Sequence, residues 1–203
     1  MISLPWKRRS LEQMLGLLAG CGIGFRAGAA ADLLFHGMAA AERAEFIKKL
    51  EKNGIEALLA TMGSEIIFAG NQMVDPPSDA VWYFDPEFIH RHAAYGMFVE
   101  RLCRMTRGDV VCERAVDHVD VASGTGWVDV TLNGRQERLT LTVNDEWSDQ
   151  KFFSFVQSKL KTAGSSRRLA GHKFAKDMLI VCMAPREIER LNRETSLNFA
   201  PLP

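Results

Sequence analysis

Apolar residues along this chain recur first at helical spacing, then at alternate positions, then at helical spacing again. Leu11, Met14, Leu15 and Leu18 fall on one face of a short helix that Ser10 is placed to cap. Glycines between Gly16 and Gly28 end it. A longer helical region is predicted over residues 38–62. Phe46, Ile47 and Leu50 mark the buried face of its first part, and Ile55, Leu58, Leu59 and Met62 that of the second. Between the two parts, Asn53-Gly54 reads as a helix stop followed by a restart.

Residues 70–79 have loop composition, and residues 80–84 read as a short strand. Asp85, Pro86 and Glu87 then stand in the order of an N-cap, a first helical position and an acid at the positive end of the dipole. Phe84 and Ile89 are spaced to staple that start. The helix is predicted to run to Thr106 and to bury Phe88, His92, Tyr95, Val99, Leu102 and Cys103.

From residue 109 to 143 the period changes to two. Residues 110–121, 126–132 and 137–143 read as three antiparallel strands, with turns at Ser123-Gly124 and Asn133-Gly134. A helix over 149–162 turns Phe152, Phe153, Val156 and Leu160 inward. Strands over 167–174 and 177–183 follow, then a helix from Pro185 that buries Ile188 and Leu191. Strand runs interrupted by helices define an α+β class: N-terminal helices, then an antiparallel sheet of about five or six strands packed by two or three helices. The expected organisation is one domain over 1–203, with a helical N-terminal part over 1–70 and a mixed core over 80–203.

A hydrophobic fraction of 47% and a charged fraction of 25% in 203 residues exclude global disorder. A chain of this length buries enough surface to fold without a disulfide or a metal. The 25 basic and 25 acidic residues cancel, which removes the electrostatic footprint of a dedicated nucleic-acid binder. Cys21, Cys103, Cys112 and Cys182 contain no C-x-x-C pair, and the last three sit beside apolar residues, which suits a reducing cytosol. The minor alternative is a lipoprotein anchored through Cys21: Leu18-Ala19-Gly20-Cys21, after Lys7, Arg8 and Arg9, resembles a lipobox. Against it, Glu12 and Gln13 interrupt the apolar stretch such a signal needs. No membrane span is expected.

Several motifs carry candidate chemistry. Residues 22–27 match G-x-G-x-x-G/A, which binds a dinucleotide only between a strand and a helix; the helical segment before it argues instead for a chain turn. His90 and His92 form an H-x-H with Asp85 and Glu87 nearby, but two residues apart on a helix they point to different sides, so no metal site is expected. On a predicted strand, His118 and Asp120 share one face and Asp117 takes the other. Such a His–carboxylate pair suits acid–base catalysis, while polar residues on the wet face of a sheet are the ordinary reading.

Arg167, Arg168, His172, Lys173 and Lys176, with Lys159 and Lys161 upstream, make a basic cluster suited to an acidic partner or to protecting a strand edge. Asp145-Glu146-Trp147-Ser148-Asp149 places an aromatic residue amid charges, a frequent interface anchor. Trp147, Asp149, Arg167, Arg168 and Lys173 are therefore the candidate partner-binding residues. No G-x-S-x-G, H-E-x-x-H, P-loop or kinase signature occurs. No cofactor is expected.

From Trp82 onward the layout is similar to small uncharacterised bacterial α+β proteins, some of which resemble immunity proteins encoded beside secreted toxins. The likeness rests on Trp82-Tyr83-Phe84-Asp85-Pro86-Glu87 entering a helix, a meander carrying Asp117 and Asp120, the Asp145 to Asp149 segment opening the next helix, and Leu191-Asn192-Arg193-Glu194-Thr195 near the end. It implies a non-catalytic protein that binds a protein partner, and carries over no site residue. The alternative is a small enzyme with its site near His118 and Asp120 or near His90 and His92.

Overall fold

A computed structural model describes residues 9–67, 73–87, 94–143 and 149–203. The first helix, α1 (Leu11–Gly20), starts on a capping box: the Ser10 hydroxyl accepts from the Gln13 N–H while the Gln13 side chain accepts from the Ser10 N–H. A single 3₁₀ turn (Ala31–Phe35) leads to α2 (Ala40–Gly63). The helical rise of α2 breaks at Gly54, whose φ of 80° lies in the left-handed region, as the Asn53-Gly54 pair predicts. Two-residue strands β1 (Ile66–Ile67) and β2 (Met73–Val74) pair, the second within residues 70–79, which read from sequence as loop.

Strand β3 (Val81–Phe84) follows, then α3 (Ala94–Met105). The Asp85 carboxylate accepts from the N–H of Glu87, which with Pro86 forms a turn. Phe88, Ile89, His90 and His92 lie outside the described residues. The period-two region forms β4 (Cys112–Asp120), β5 (Thr125–Leu132) and β6 (Arg135–Thr142) in one antiparallel meander. Asn133 and Gly134 both have positive φ, 49° and 75°, the geometry a two-residue hairpin turn requires. Helix α4 (Lys151–Thr162), strands β7 (Arg168–Phe174) and β8 (Asp177–Met183), helix α5 (Pro185–Thr195) and the short β9 (Ala200–Pro201) complete the chain.

The α+β class holds. The longer strands divide between two sheets instead of joining one: β3-β8-β7-β9 and β4-β5-β6. The division arises because β3 pairs with β8, with Val81 opposite Val181, and not with the meander that follows it in sequence. Both faces of the four-stranded sheet are covered. On one, Val81, Ala170, Leu179, Val181 and Met183 meet Met14 and Leu18 of α1, Leu58, Leu59 and Met62 of α2, and Ile188 and Leu191 of α5. On the other, Trp82, Phe84, Leu169, Ile180 and Cys182 meet α3 and α4.

Phe84, Phe98, Phe152 and Phe153 are the centre of that second core, with ring centroids 4.1–5.8 Å apart in edge-on and tilted contacts. The meander closes the far side of α3 and α4 with Val119, Val128, Val130, Leu132 and Leu141. The layers therefore run helices, sheet, helices, sheet, and the outermost surface is the open face of β4-β5-β6. No described helix is long and apolar enough to cross a membrane.

Candidate functional site: the open face of the meander

Strand register decides which side chains share the open face. Arg114, Thr131 and Gln136 form one row, Val116, Asp129 and Arg138 the next, then His118, Trp127 and Thr140, then Asp120, Thr125 and Thr142. Alternate residues, among them Val119, Val128, Val130, Leu132 and Leu141, point into the core. The face is thus built by the simple period of the pleat.

At its centre the Arg138 guanidinium lies 4.3 Å from the middle of the Trp127 ring. Its Nε and Nη2, along one guanidinium edge, also donate to the Asp129 carboxylate, a bidentate pair that holds Asp129 below its ordinary carboxylate pKa. His118 stacks on the other flank of Trp127, ring centroids 5.9 Å apart and 27° from parallel. Val116 is 42% exposed. Arg114, Val116, Trp127, Asp129, Thr131, Gln136 and Arg138 line a shallow concavity of about 400 Å³.

The expected acid–base pair is placed on this face, but Asp120 has structural work. Its Oδ1 accepts from the Ala122 and Ser123 N–H groups at 3.0 and 3.2 Å, closing the turn between β4 and β5. Hydrogen bonds from Ser123 hold its pKa below the ordinary carboxylate range. Asp117, on the inner face, accepts from the Tyr95 and Gly96 N–H groups at 2.6 and 3.0 Å and ties α3 to β4. His90 and His92 lie outside the described residues. Among the described residues no group of three or more His, Cys, Asp or Glu converges on a metal position.

The basic cluster is spent largely within the molecule. Arg167 Nη1 donates to Asp109 at 2.6 Å, and Arg168 Nη1 donates to the carbonyls of Ser165 and Arg167 at 2.8 and 2.6 Å. Lys159 pairs with Glu137, Lys176 with Glu87, and His172 Nε2 meets Glu56 at 2.8 Å. Lys173 and Lys161 remain exposed. Asp149 accepts from the Thr142 and Lys151 N–H groups at 2.8 and 3.0 Å, which seats α4 against the end of β6. Trp147 lies outside the described residues.

Residues 22–27 do not stand between a strand and a helix. They leave the C-terminal end of α1 and turn toward the 3₁₀ segment, so no helix N-terminus is positioned for a pyrophosphate. Cys21, the cysteine of the lipobox-like tetrapeptide, is buried in the same core as Leu18 and Ile23.

Sequence reasoning passed over Trp127 and Arg138. The available signal was the alternation of β5: with Val128, Val130 and Leu132 directed inward, Trp127 must point outward with Asp129 and Thr131. Comparison with protein-family models, curated proteins and solved structures finds no match to this chain.

Proposed function

We propose that this chain is a non-catalytic protein-binding protein, immunity-like in its mode of action, that holds a protein partner on the open face of β4-β5-β6. The observation that carries the reading is Trp127, braced between Arg138 and His118 on a face that includes a well-exposed valine. Tryptophan and arginine are the residues most enriched among those that dominate interface energetics. A ring held in place before binding loses little conformational freedom on association.

The chemistry of the face defines what fits it. Arg138 neutralises Asp129, and Asp120 is held in its turn at the far end of the face, so Arg114 is the charge left beside Val116 and favours a partner presenting an acidic side chain next to an aromatic or aliphatic one. Asp120, engaged in its turn, is poorly disposed to orient His118 as a base, which weighs against the enzyme reading. The resemblance of the region from Trp82 onward to small bacterial α+β proteins, some of them immunity-like, points the same way.

The test is affinity capture from native lysate with the wild-type chain and with Trp127→Ala, followed by mass spectrometry and mixing of the purified candidates. One stoichiometric protein partner, retained by the wild type and lost by the folded variant, is expected. A partner held equally by both chains contradicts the assignment of the face.

A further inference from the structure

Cys103 and Cys112 are nine residues apart in sequence, one near the end of α3 and the other opening β4. The turn between them folds the strand back against the helix. At Cys112 the pairing with β5 is irregular: Cys112 stands opposite Leu132, Arg114 opposite Thr131, and the register slips between the two. Bulges of this kind re-aim side chains. Cys112 shares the inward-facing row with Leu132 and packs against the core that contains Cys103.

Cys103 and Cys112 are each the largest influence on the other's titration, and the Cys112 thiol donates to the Arg114 carbonyl at 3.4 Å. Both residues line one surface concavity of about 380 Å³, whose rim carries Glu100 and Arg104. Their exposure is unequal: Cys103 is buried and Cys112 half-buried.

We propose that Cys103 and Cys112 form a thiol–disulfide exchange site for a low-molecular-weight disulfide, with Cys112 as attacking sulfur and Cys103 as resolving sulfur. The Cys112 thiolate attacks one sulfur of the small disulfide, whose S–S bond breaks and releases a thiolate. Cys103 then attacks the Cys112 sulfur of the mixed disulfide, its proton passing to the second departing thiolate. The protein dithiol is oxidised by two electrons to a disulfide, and the small disulfide is reduced to two thiols.

The division of roles follows from the surroundings. Cys112 is the more exposed sulfur, and interaction with Cys103 lowers its pKa, while interaction with Cys112, then burial, pushes Cys103 up. Cys21 and Cys182 are buried thiols with pKa values raised chiefly by burial, and they serve as internal controls.

The experiment exposes the folded, full-length chain to glutathione disulfide at neutral pH, quenches with acid and maps each cysteine by peptide mass spectrometry. A Cys103–Cys112 cross-linked peptide, with Cys21 and Cys182 still thiols, is expected. Cys103→Ala stops at a mixed disulfide on Cys112, and Cys112→Ala leaves Cys103 unmodified. A wild-type chain that accumulates glutathione on Cys112 beside a free Cys103 overturns the proposal. So does reaction of Cys112 no faster than that of Cys21 and Cys182. Both contrary outcomes are read on the wild type, so the proposal stays falsifiable if a variant fails to fold.

Discussion

Arg138 stacks on Trp127 from the neighbouring strand, its guanidinium carbon 4.3 Å from the ring centre. The arrangement fixes the indole from above while Asp129, two residues along β5, fixes the arginine. Both restraints sit on a surface that the core does not need. Arg138→Ala is therefore expected to leave the melting temperature close to that of the wild type while weakening partner binding about tenfold, an effect of the size a braced interface aromatic supports. Thermal melts and a binding titration on the same protein samples check the two halves of this expectation.

Gly63 ends α2 directly over β3. A Cβ atom there would stand 2.7 Å from the Tyr83 backbone nitrogen, a distance real Cβ atoms essentially never show, and a tight 3.0 Å from the Trp82 carbonyl carbon. The neighbours are backbone and cannot swing aside. Gly63→Ala is expected to destabilise the fold by about 1–3 kcal/mol, the usual scale of overpacking, as measured by urea denaturation.

The chain has two tyrosines, Tyr83 and Tyr95, and both are pushed up from the ordinary phenol pKa of 10.0. For Tyr83, burial comes first and the hydrogen bond to Asp177 second, and the value reaches about 12. A raised phenol pKa means that the unfolded chain loses its proton first. Stability is intact below pH 10 and falls as pH rises from 10 toward 12. Ultraviolet titration of the folded protein should show less than half of its tyrosine ionised at the ordinary midpoint, and Tyr83→Phe should flatten part of the alkaline loss of stability.

Arg167 was a candidate for partner contact, and its guanidinium instead joins Asp109 at 2.6 Å and the Thr106 carbonyl at 3.3 Å, linking the end of α3 to β7. The Ser165 hydroxyl, then Arg167, holds the Asp109 carboxyl below its ordinary pKa. The stability this carboxylate contributes is present at neutral pH and is lost as pH falls through its depressed folded-state value. Asp109→Asn should remove that part of the acid sensitivity. Arg167→Glu should lower stability while leaving the partner Kd unchanged, read by denaturation at neutral pH and by the binding titration.

Much of the fold is written in local pattern. The unbroken apolar run Met178-Leu179-Ile180-Val181-Cys182-Met183 marks a strand covered on both faces, whereas Trp127-Val128-Asp129-Val130-Thr131 marks one covered on a single face. Capping at Ser10, the kink at Gly54 and the Asn133-Gly134 turn are legible for the same reason: each is decided by residues a few positions apart.

Pairing across the chain was not legible. That β3 would join β8 depends on about a hundred intervening residues folding between them, and no local period encodes it. The two-residue strands β1, β2 and β9 are too short to carry a period at all. At the candidate site, the shared face of His118 and Asp120 could be read from alternation. The engagement of Asp120 by turn amides, of Asp117 by the start of α3 and of Arg167 by Asp109 required the third dimension.

The measurement closest to the central claim is a calorimetric titration of the captured partner into the wild type, Trp127→Ala and Lys173→Glu. Trp127 lies on the open face of the meander, and Lys173 is an exposed member of the basic cluster on the four-stranded sheet. Trp127→Ala is expected to cost about 2 kcal/mol or more of binding free energy, roughly thirty-fold in Kd, while Lys173→Glu binds as the wild type does. Equal affinity for Trp127→Ala and the wild type, with binding lost in Lys173→Glu, would contradict it and move the interface to the other sheet.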